Sequence, residues 1–152
     1  MEKIEFFRNL KLSIASMGGI GFSPYAPGTL GSIAAIPIVL VLSNHHWWYI
    51  FITLSLFVVG TAVGNEAEII YREKDPGWVV VDETVGILIS FFLVPVGWTT
   101  IIIGFILFRL IDISKVFPLK LLENVPGGLG IMLDDAVGGI MVNIILNIIS
   151  SL

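Results

Sequence analysis

The chain has 152 residues, of which 56% are hydrophobic and only 13% charged, and its mean hydropathy is +0.97. Soluble domains carry about a quarter charged residues and leave much of their surface in water, so this composition excludes an ordinary soluble domain and points to a membrane. There is no cysteine, which excludes disulfides, thiolate nucleophiles, Cys-ligated zinc and iron–sulfur clusters, while the net charge of −4 says little until the charges are placed.

The length suits one domain, residues 1–152. At its start Lys3, Arg8 and Lys11 lead into a Gly/Pro/Ser-rich stretch, not into an apolar run with a small-residue cleavage site, so no cleavable signal peptide is expected. That stretch, Gly18 to Ser32, runs into a first apolar segment, Leu30–Ser43. Its glycines admit close backbone approach and its helix start offers free N–H groups, to which Thr29 and Ser32 add hydroxyls. It reads either as a phosphate cradle or as a cap and turn, and it lacks the Gly-Lys-Ser/Thr ending of a Walker A loop. The turn Asn44-His45-His46 follows, its histidines read as solvated polar residues, and then a second apolar segment, Trp47–Asn65.

A charged loop, Glu66–Glu83, contains the turn Asp75-Pro76-Gly77. It ends in Asp82 and Glu83, where a third apolar segment, Thr84–Val94, begins. Carboxylates there suit a helix start whether or not they have a further role. The turn Pro95-Val96-Gly97 joins this to Trp98–Phe108, which continues into Arg109, Asp112 and Lys115. Spacing by three puts those residues along one side of a helix, as a local ion-pair ladder or as a grip on a phosphoryl group. A last glycine-rich run, Pro126 to Gly130, precedes Asp134 and Asp135 at the expected start of a fifth segment, Ala136–Leu152. Capping explains one of these aspartates, not two.

The segments are apolar all round, as buried or lipid-facing helices are, and too few for a closed barrel. The expected fold is all-α: a compact multi-helix integral membrane bundle of five apolar helices plus short cytoplasmic helices and loops. A perpendicular span needs about 20 residues, which only the second and fifth segments approach. All eight Lys and Arg residues lie at the N-terminus or in the two charged loops, and neither tight turn carries one. The positive-inside rule therefore puts the charged regions in the cytoplasm and the turns, with Trp47, Trp48, Tyr49 and Trp98, at an outer aromatic belt.

Asp82, Glu83, Asp134 and Asp135 then begin apolar helices on one membrane side. Carboxylates crowded at a low-dielectric boundary repel one another, a conflict that a divalent cation removes. Hard oxygen ligands suit Mg²⁺ shared with a substrate phosphate, and Arg109 and Lys115 supply a positive clamp for phosphoryl transfer. With no histidine on the charged side and no cysteine anywhere, histidine- and cysteine-nucleophile phosphatases are excluded. The Asp-Gly…Ala-Arg…Gly…Asp…Asp pattern of CDP-alcohol phosphotransferases is also missing.

Four blocks in order carry a resemblance over nearly the whole chain. They are Ser23-Pro24…Ala26-Pro27-Gly28-Thr29…Gly31-Ser32, Asp75-Pro76…Val81-Asp82-Glu83…Gly86, Phe108-Arg109…Asp112…Lys115…Pro118, and Gly127-Gly128-Leu129-Gly130-Ile131-Met132…Asp134-Asp135…Gly139. The chain resembles the phosphatidylglycerophosphatase A family, with Val116 where its members usually have proline. The resemblance implies hydrolysis of phosphatidylglycerophosphate to phosphatidylglycerol and inorganic phosphate by a multi-pass bacterial inner-membrane enzyme whose Mg²⁺ site faces the cytoplasm. Asp82, Glu83, Asp134 and Asp135 would hold the metal, and Arg109, Lys115, Thr29 and Ser32 the phosphate. Water would attack directly or after an aspartyl phosphoenzyme, with Asp112 the residue assigned a nucleophile-like role. The expected partner is a phospholipid of the cytoplasmic leaflet, with no nucleic acid involved and an oligomer compatible with the sequence. The competing readings are a transporter or channel, against which stands the lack of mid-membrane charge, and a non-catalytic metal-binding membrane protein.

Overall fold

The computed structural model describes residues 2–122 and 124–151, with side chains from Arg8 onward. The Lys3 side chain and Leu152, both used in the sequence reading, lie outside that description. The chain forms α1 (Glu2–Ala15), a 3-10 turn (Ile20–Phe22), α2 (Pro27–Leu42), α3 (His46–Tyr71), α4 (Val81–Phe91), α5 (Trp98–Ser114), the single turn α6 (Leu119–Leu122) and α7 (Gly128–Ser150). Among the described residues there is no strand. The all-helical expectation holds.

Five spans do not. Among the described residues only α3 and α7, of 26 and 23 residues, are long and apolar enough to cross a membrane. α3 contains the second apolar segment, and α7 contains the fifth as far as Ser150. α2 is apolar but has 16 residues, α4 has 11, and α5 has 17, with Arg109 and Asp112 in its last turns. α4 stops early because the chain turns at Leu93, whose φ is +58°, and Pro95 cannot continue a helix.

α7 also begins earlier than expected, at Gly128 and not at Ala136. A Cβ on Gly128 would strike the Thr61 carbonyl of α3, so the glycine lets this helix start against its neighbour. Asp134 and Asp135 consequently sit in the second turn of α7 and cap nothing.

α4 is the central element, packed against α2, α3, α5 and α7. One apolar cluster joins Val39, Ile87, Leu88, Phe91, Phe108, Val142 and Leu146. A second, nearer the charged end, joins Ala15, Val63, Ala67, Val81, Val85 and Met132. Because α4 ends inside the bundle, its last carbonyls need donors that neither lipid nor core can give. The Tyr49 hydroxyl donates to Leu88 O at 2.7 Å, and Asn143 Nδ2 donates to Ser90 O at 3.2 Å and to Phe92 O at 2.8 Å. These bonds let an 11-residue helix stand in an apolar surround with its N-terminus at the charged end.

Candidate active site

Asp82 and Glu83 occupy the first turn of α4, where the positive helix end favours carboxylates. Asp135 faces them from α7. Ligand-capable oxygens of Asp82, Glu83 and Asp135 lie within 4.8 Å of one another, and Asp82 and Asp135 are only 7% and 2% exposed.

Glycines make this approach possible. A Cβ on Gly86 would lie 2.9 Å from Asp135 O. One on Gly139 would run into Gly86 O and come within 3.1 Å of Ile89 Cβ. Each glycine stands one helical turn beyond a carboxylate, Asp82 before Gly86 and Asp135 before Gly139, so the bare backbones meet directly beneath the acidic groups.

Burial comes first, followed by the charges of Glu83 and Asp135, in pushing the Asp82 carboxyl well above the usual range. Burial likewise raises Glu83 to about 7; Asp112 adds to the rise, while the Asp82 hydrogen bond and Arg109 oppose it. Asp82 Oδ1, Glu83 Oε2 and Asp135 Oδ2 are buried with no hydrogen-bond partner. Three hard oxygen donors from two helices, converging within 4.8 Å and each residue keeping one buried oxygen without a partner, fit a metal ion.

The cations stand beside this trio. Arg109 Nη1 lies 2.7 Å from Asp112 Oδ2 and 3.7 Å from Glu83 Oε1. Lys115 Nζ lies 3.0 Å from Asp112 Oδ1 and also pairs with Asp134 Oδ2. Asp112 is 8% exposed, and its two oxygens each hold a cation. It stands as a strut between Arg109 and Lys115. Asp134, expected among the metal ligands, turns away from the trio to Lys115. Burial works against the Lys115 ammonium, but the hydrogen bond and charge of Asp134, with Asp135 and Asp112, outweigh it and raise its pKa.

α5 ends at Ser114, and Lys115 adopts a left-handed backbone with φ +44°. The bend forms with Val116 in place of the family's proline. That conformation costs a non-glycine residue about 1 kcal/mol or more, and here it points the Lys115 side chain back to Asp112 and Asp134.

The start of α2 closes the site. No side chain caps it, so neither Thr29 nor Ser32 serves as a cap. Ser32 is fully buried. Its hydroxyl donates to Gly28 O at 2.9 Å and accepts from Arg109 Nη1 at 3.5 Å, so it orients the arginine. Thr29, half-buried in the first turn, is the residue of this pair left near the free N–H groups. A Cβ on Gly28 would overlap the Glu83 carboxylate and lie 3.2 Å from Arg109 Nη2; the absent side chain is what brings the helix start onto the site.

The sequence reading gave Asp75 no more than a turn. Asp75 has φ +49°, its N–H donates to Glu68 Oε1 at 3.1 Å, and with Glu68, Lys74 and Asp134 it lines a 250 Å³ cavity beside the network. Its signal was its place in the same block as Asp82 and Glu83.

A helical bundle with a buried three-carboxylate cluster able to hold a metal ion, an arginine and a lysine beside it, and an uncapped helix start completing the ring defines a candidate metal-assisted phosphohydrolase. The chain belongs to the phosphatidylglycerophosphatase A family, whose model matches residues 13–150. It is 34% identical over 126 residues to phosphatidylglycerophosphatase A of Escherichia coli, covering 81% of this chain and 73% of that one. Over 150 residues it is 31% identical to phosphatidylglycerophosphatase A of Haemophilus influenzae, covering 96% and 91%. A protein of Bacteroides thetaiotaomicron named "Putative phosphatidylinositol-3-phosphatase" is 38% identical over 140 residues, covering 86% and 87%. No solved structure matches the chain significantly.

Proposed function

We propose that this protein hydrolyses phosphatidylglycerophosphate to phosphatidylglycerol and inorganic phosphate, with Mg²⁺, at the cytoplasmic face of a bacterial inner membrane. The observation that carries the reading is the trio Asp82, Glu83 and Asp135, converging within 4.8 Å with three buried oxygens unpartnered. These residues would hold Mg²⁺, which when bound supplies Lewis-acid neutralisation of the phosphoryl oxygens.

The chain's own groups do the rest. Arg109 Nε, buried without a partner, is a donor kept for an anion, while Nη1 is fixed by Asp112 and Ser32. Lys115 is held charged and steadied by two carboxylates. The start of α2 offers backbone N–H groups near Thr29. Together they grip the terminal phosphate and oppose the charge that builds as the P–O bond to glycerol breaks. With Asp112 pinned on both oxygens, direct attack by water is favoured over an enzyme ester at that residue.

Membrane placement is supported by bands of exposed apolar side chains that water would not tolerate in such number. They include Phe51, Leu54 and Val58 of α3, Ile102, Ile106 and Leu110 of α5, and Ile140, Ile144 and Ile148 of α7. α3 and α7 cross; the shorter helices pack against them with their charged ends at the inner leaflet.

The test is phosphate release from phosphatidylglycerophosphate in detergent micelles, with Mg²⁺ or with EDTA. Release only with Mg²⁺ supports the reading; metal binding without release would favour a non-catalytic metal protein. Phosphatidylinositol 3-phosphate belongs in the same assay because of the Bacteroides relative's name, and preferential release from it would move the substrate to that lipid.

A further inference from the structure

Outside the active site, a 480 Å³ groove lies between α1 and α3. Its floor is Ala15, Val63 and Ala67, all buried. Its walls are apolar, with Ile70, Tyr71 and Trp78 on one side and Leu12 on the other. Trp78 is fixed between two rings, stacked on Phe22 at 5.4 Å and met edge-on by Tyr71 at 5.1 Å. Arg8 and Lys11 stand at the mouth, and Glu66 holds Lys11 at 2.7 Å. Two cations against one carboxylate leave the mouth net positive, and an exposed ion pair of this kind is readily shared with another anion. The volume is that of a ligand site. The groove lies at the charged end of α3, where a crossing helix meets the headgroup region and where tryptophan and tyrosine are favoured.

We propose that this groove is a non-catalytic site for one anionic phospholipid, with an acyl chain along Ala15, Val63, Ala67 and Trp78 and the headgroup phosphate between Arg8 and Lys11. Both parts of such a lipid find their complement here: an apolar trough for the chain and paired cations for the phosphate. Arg8 and Lys11 precede the segment matched by the family model, which begins at residue 13. The proposal rests on the membrane placement above and not on phosphatase chemistry.

Trp78 is the built-in probe. Trp47, Trp48 and Trp98 lie at the opposite end and can be replaced by phenylalanine, leaving one fluorophore. The protein in detergent micelles with EDTA is titrated with phosphatidylglycerol or phosphatidylcholine carrying brominated acyl chains. Phosphatidylglycerol should quench Trp78 at lower mole fraction than phosphatidylcholine, by about fivefold for each cation that contacts it. Arg8→Gln and Lys11→Gln, both at exposed positions that leave the core untouched, should each reduce that preference, and Ala67→Leu should weaken quenching by both lipids. Equal quenching by the two lipids would overturn the proposal, as would a preference that survives Arg8→Gln with Lys11→Gln. So would a preference lost in Asp135→Asn, since the lipid would then be seated at the carboxylates. The probes carry no phosphomonoester and metal is absent, so failure here leaves the phosphatase reading standing, and failure of phosphate release leaves this one standing.

Discussion

Asp82, Glu83 and Asp135 face one another with burial raising the cost of each charge, so a cation and protons compete for the same oxygens. Glu83 is raised to about 7. Below that value its carboxyl is protonated and a cation must displace the proton; above it Glu83 is ionised. Apparent Mg²⁺ affinity should therefore strengthen as pH rises through about 7, by up to roughly tenfold per unit for each proton displaced. Mg²⁺ titrations of phosphate release across that range check this, and an affinity independent of pH would remove Glu83 from the metal. Asp82→Asn, Glu83→Gln and Asp135→Asn should each lower Mg²⁺-dependent release by at least about a hundredfold, with the protein still inserted in membranes. Asp112→Asn keeps the shape of the strut but not its charge. We expect a loss of about ten- to a hundredfold in turnover with Mg²⁺ affinity little changed, and a complete loss would restore Asp112 to the chemistry itself. At this scale the sequence showed most of the site, because carboxylates and cations in so apolar a chain are conspicuous. It could not show that adjacent aspartates part company. Asp134 and Asp135 are 100° apart on a helix, so one turns to Lys115 and the other to the metal space.

What the helices contribute is proximity, and that depends on atoms that are missing. Gly86 and Gly139 let α4 and α7 touch backbone to backbone one turn below the carboxylates. Gly139→Ala would drive a methyl group into Gly86 O, separating the helices and widening the trio. A cost of about 1–3 kcal/mol in stability is expected, together with weaker metal binding and lower activity. Gly138→Ala is the matched control. Its Cβ would meet Leu119 Cδ2 at 3.4 Å, Ile111 Cγ2 at 3.7 Å and Phe108 Cε2 at 3.9 Å, all ordinary contacts. Thermal unfolding of both variants, with and without Mg²⁺, separates the effects: a Gly139→Ala protein as responsive to Mg²⁺ as the parent would show that the crossing does not set the site. The glycines were visible in sequence as Asp82…Gly86 and Asp135…Gly139, but nothing in a single sequence says which two helices cross at them. The early start of α7 was hidden for a related reason. Glycine is a poor helix former, and only the contact of Gly128 with Thr61 and Asn65 explains why the helix extends through the run.

For the whole molecule, the apolar bands and the segregation of charge argue for one orientation. Trp47, Trp48 and Trp98 are 85%, 62% and 77% exposed at the end opposite the carboxylates, as residues of an interfacial belt would be. The Lys and Arg residues with described side chains lie towards the other end, and cations near span ends set orientation. The composition announced the membrane at once; the number of crossings it could not give, because α2 and α5 are apolar enough to be counted but too short to reach across alone. The chain has no cysteine, so single cysteines can report topology without background. Asn44→Cys lies in the turn between α2 and α3, and Glu73→Cys in the loop between α3 and α4, both exposed. In intact bacterial cells stripped of their outer membrane, a membrane-impermeant maleimide should label Asn44→Cys and leave Glu73→Cys unlabelled, with the pattern reversed in inverted vesicles. If both positions label from the same side, α3 does not cross, and the carboxylate site would have to meet its lipid from a protein lying on the surface. Labelling of Glu73→Cys alone in intact cells would instead keep the crossing but invert it, putting the phosphatase site on the outer face.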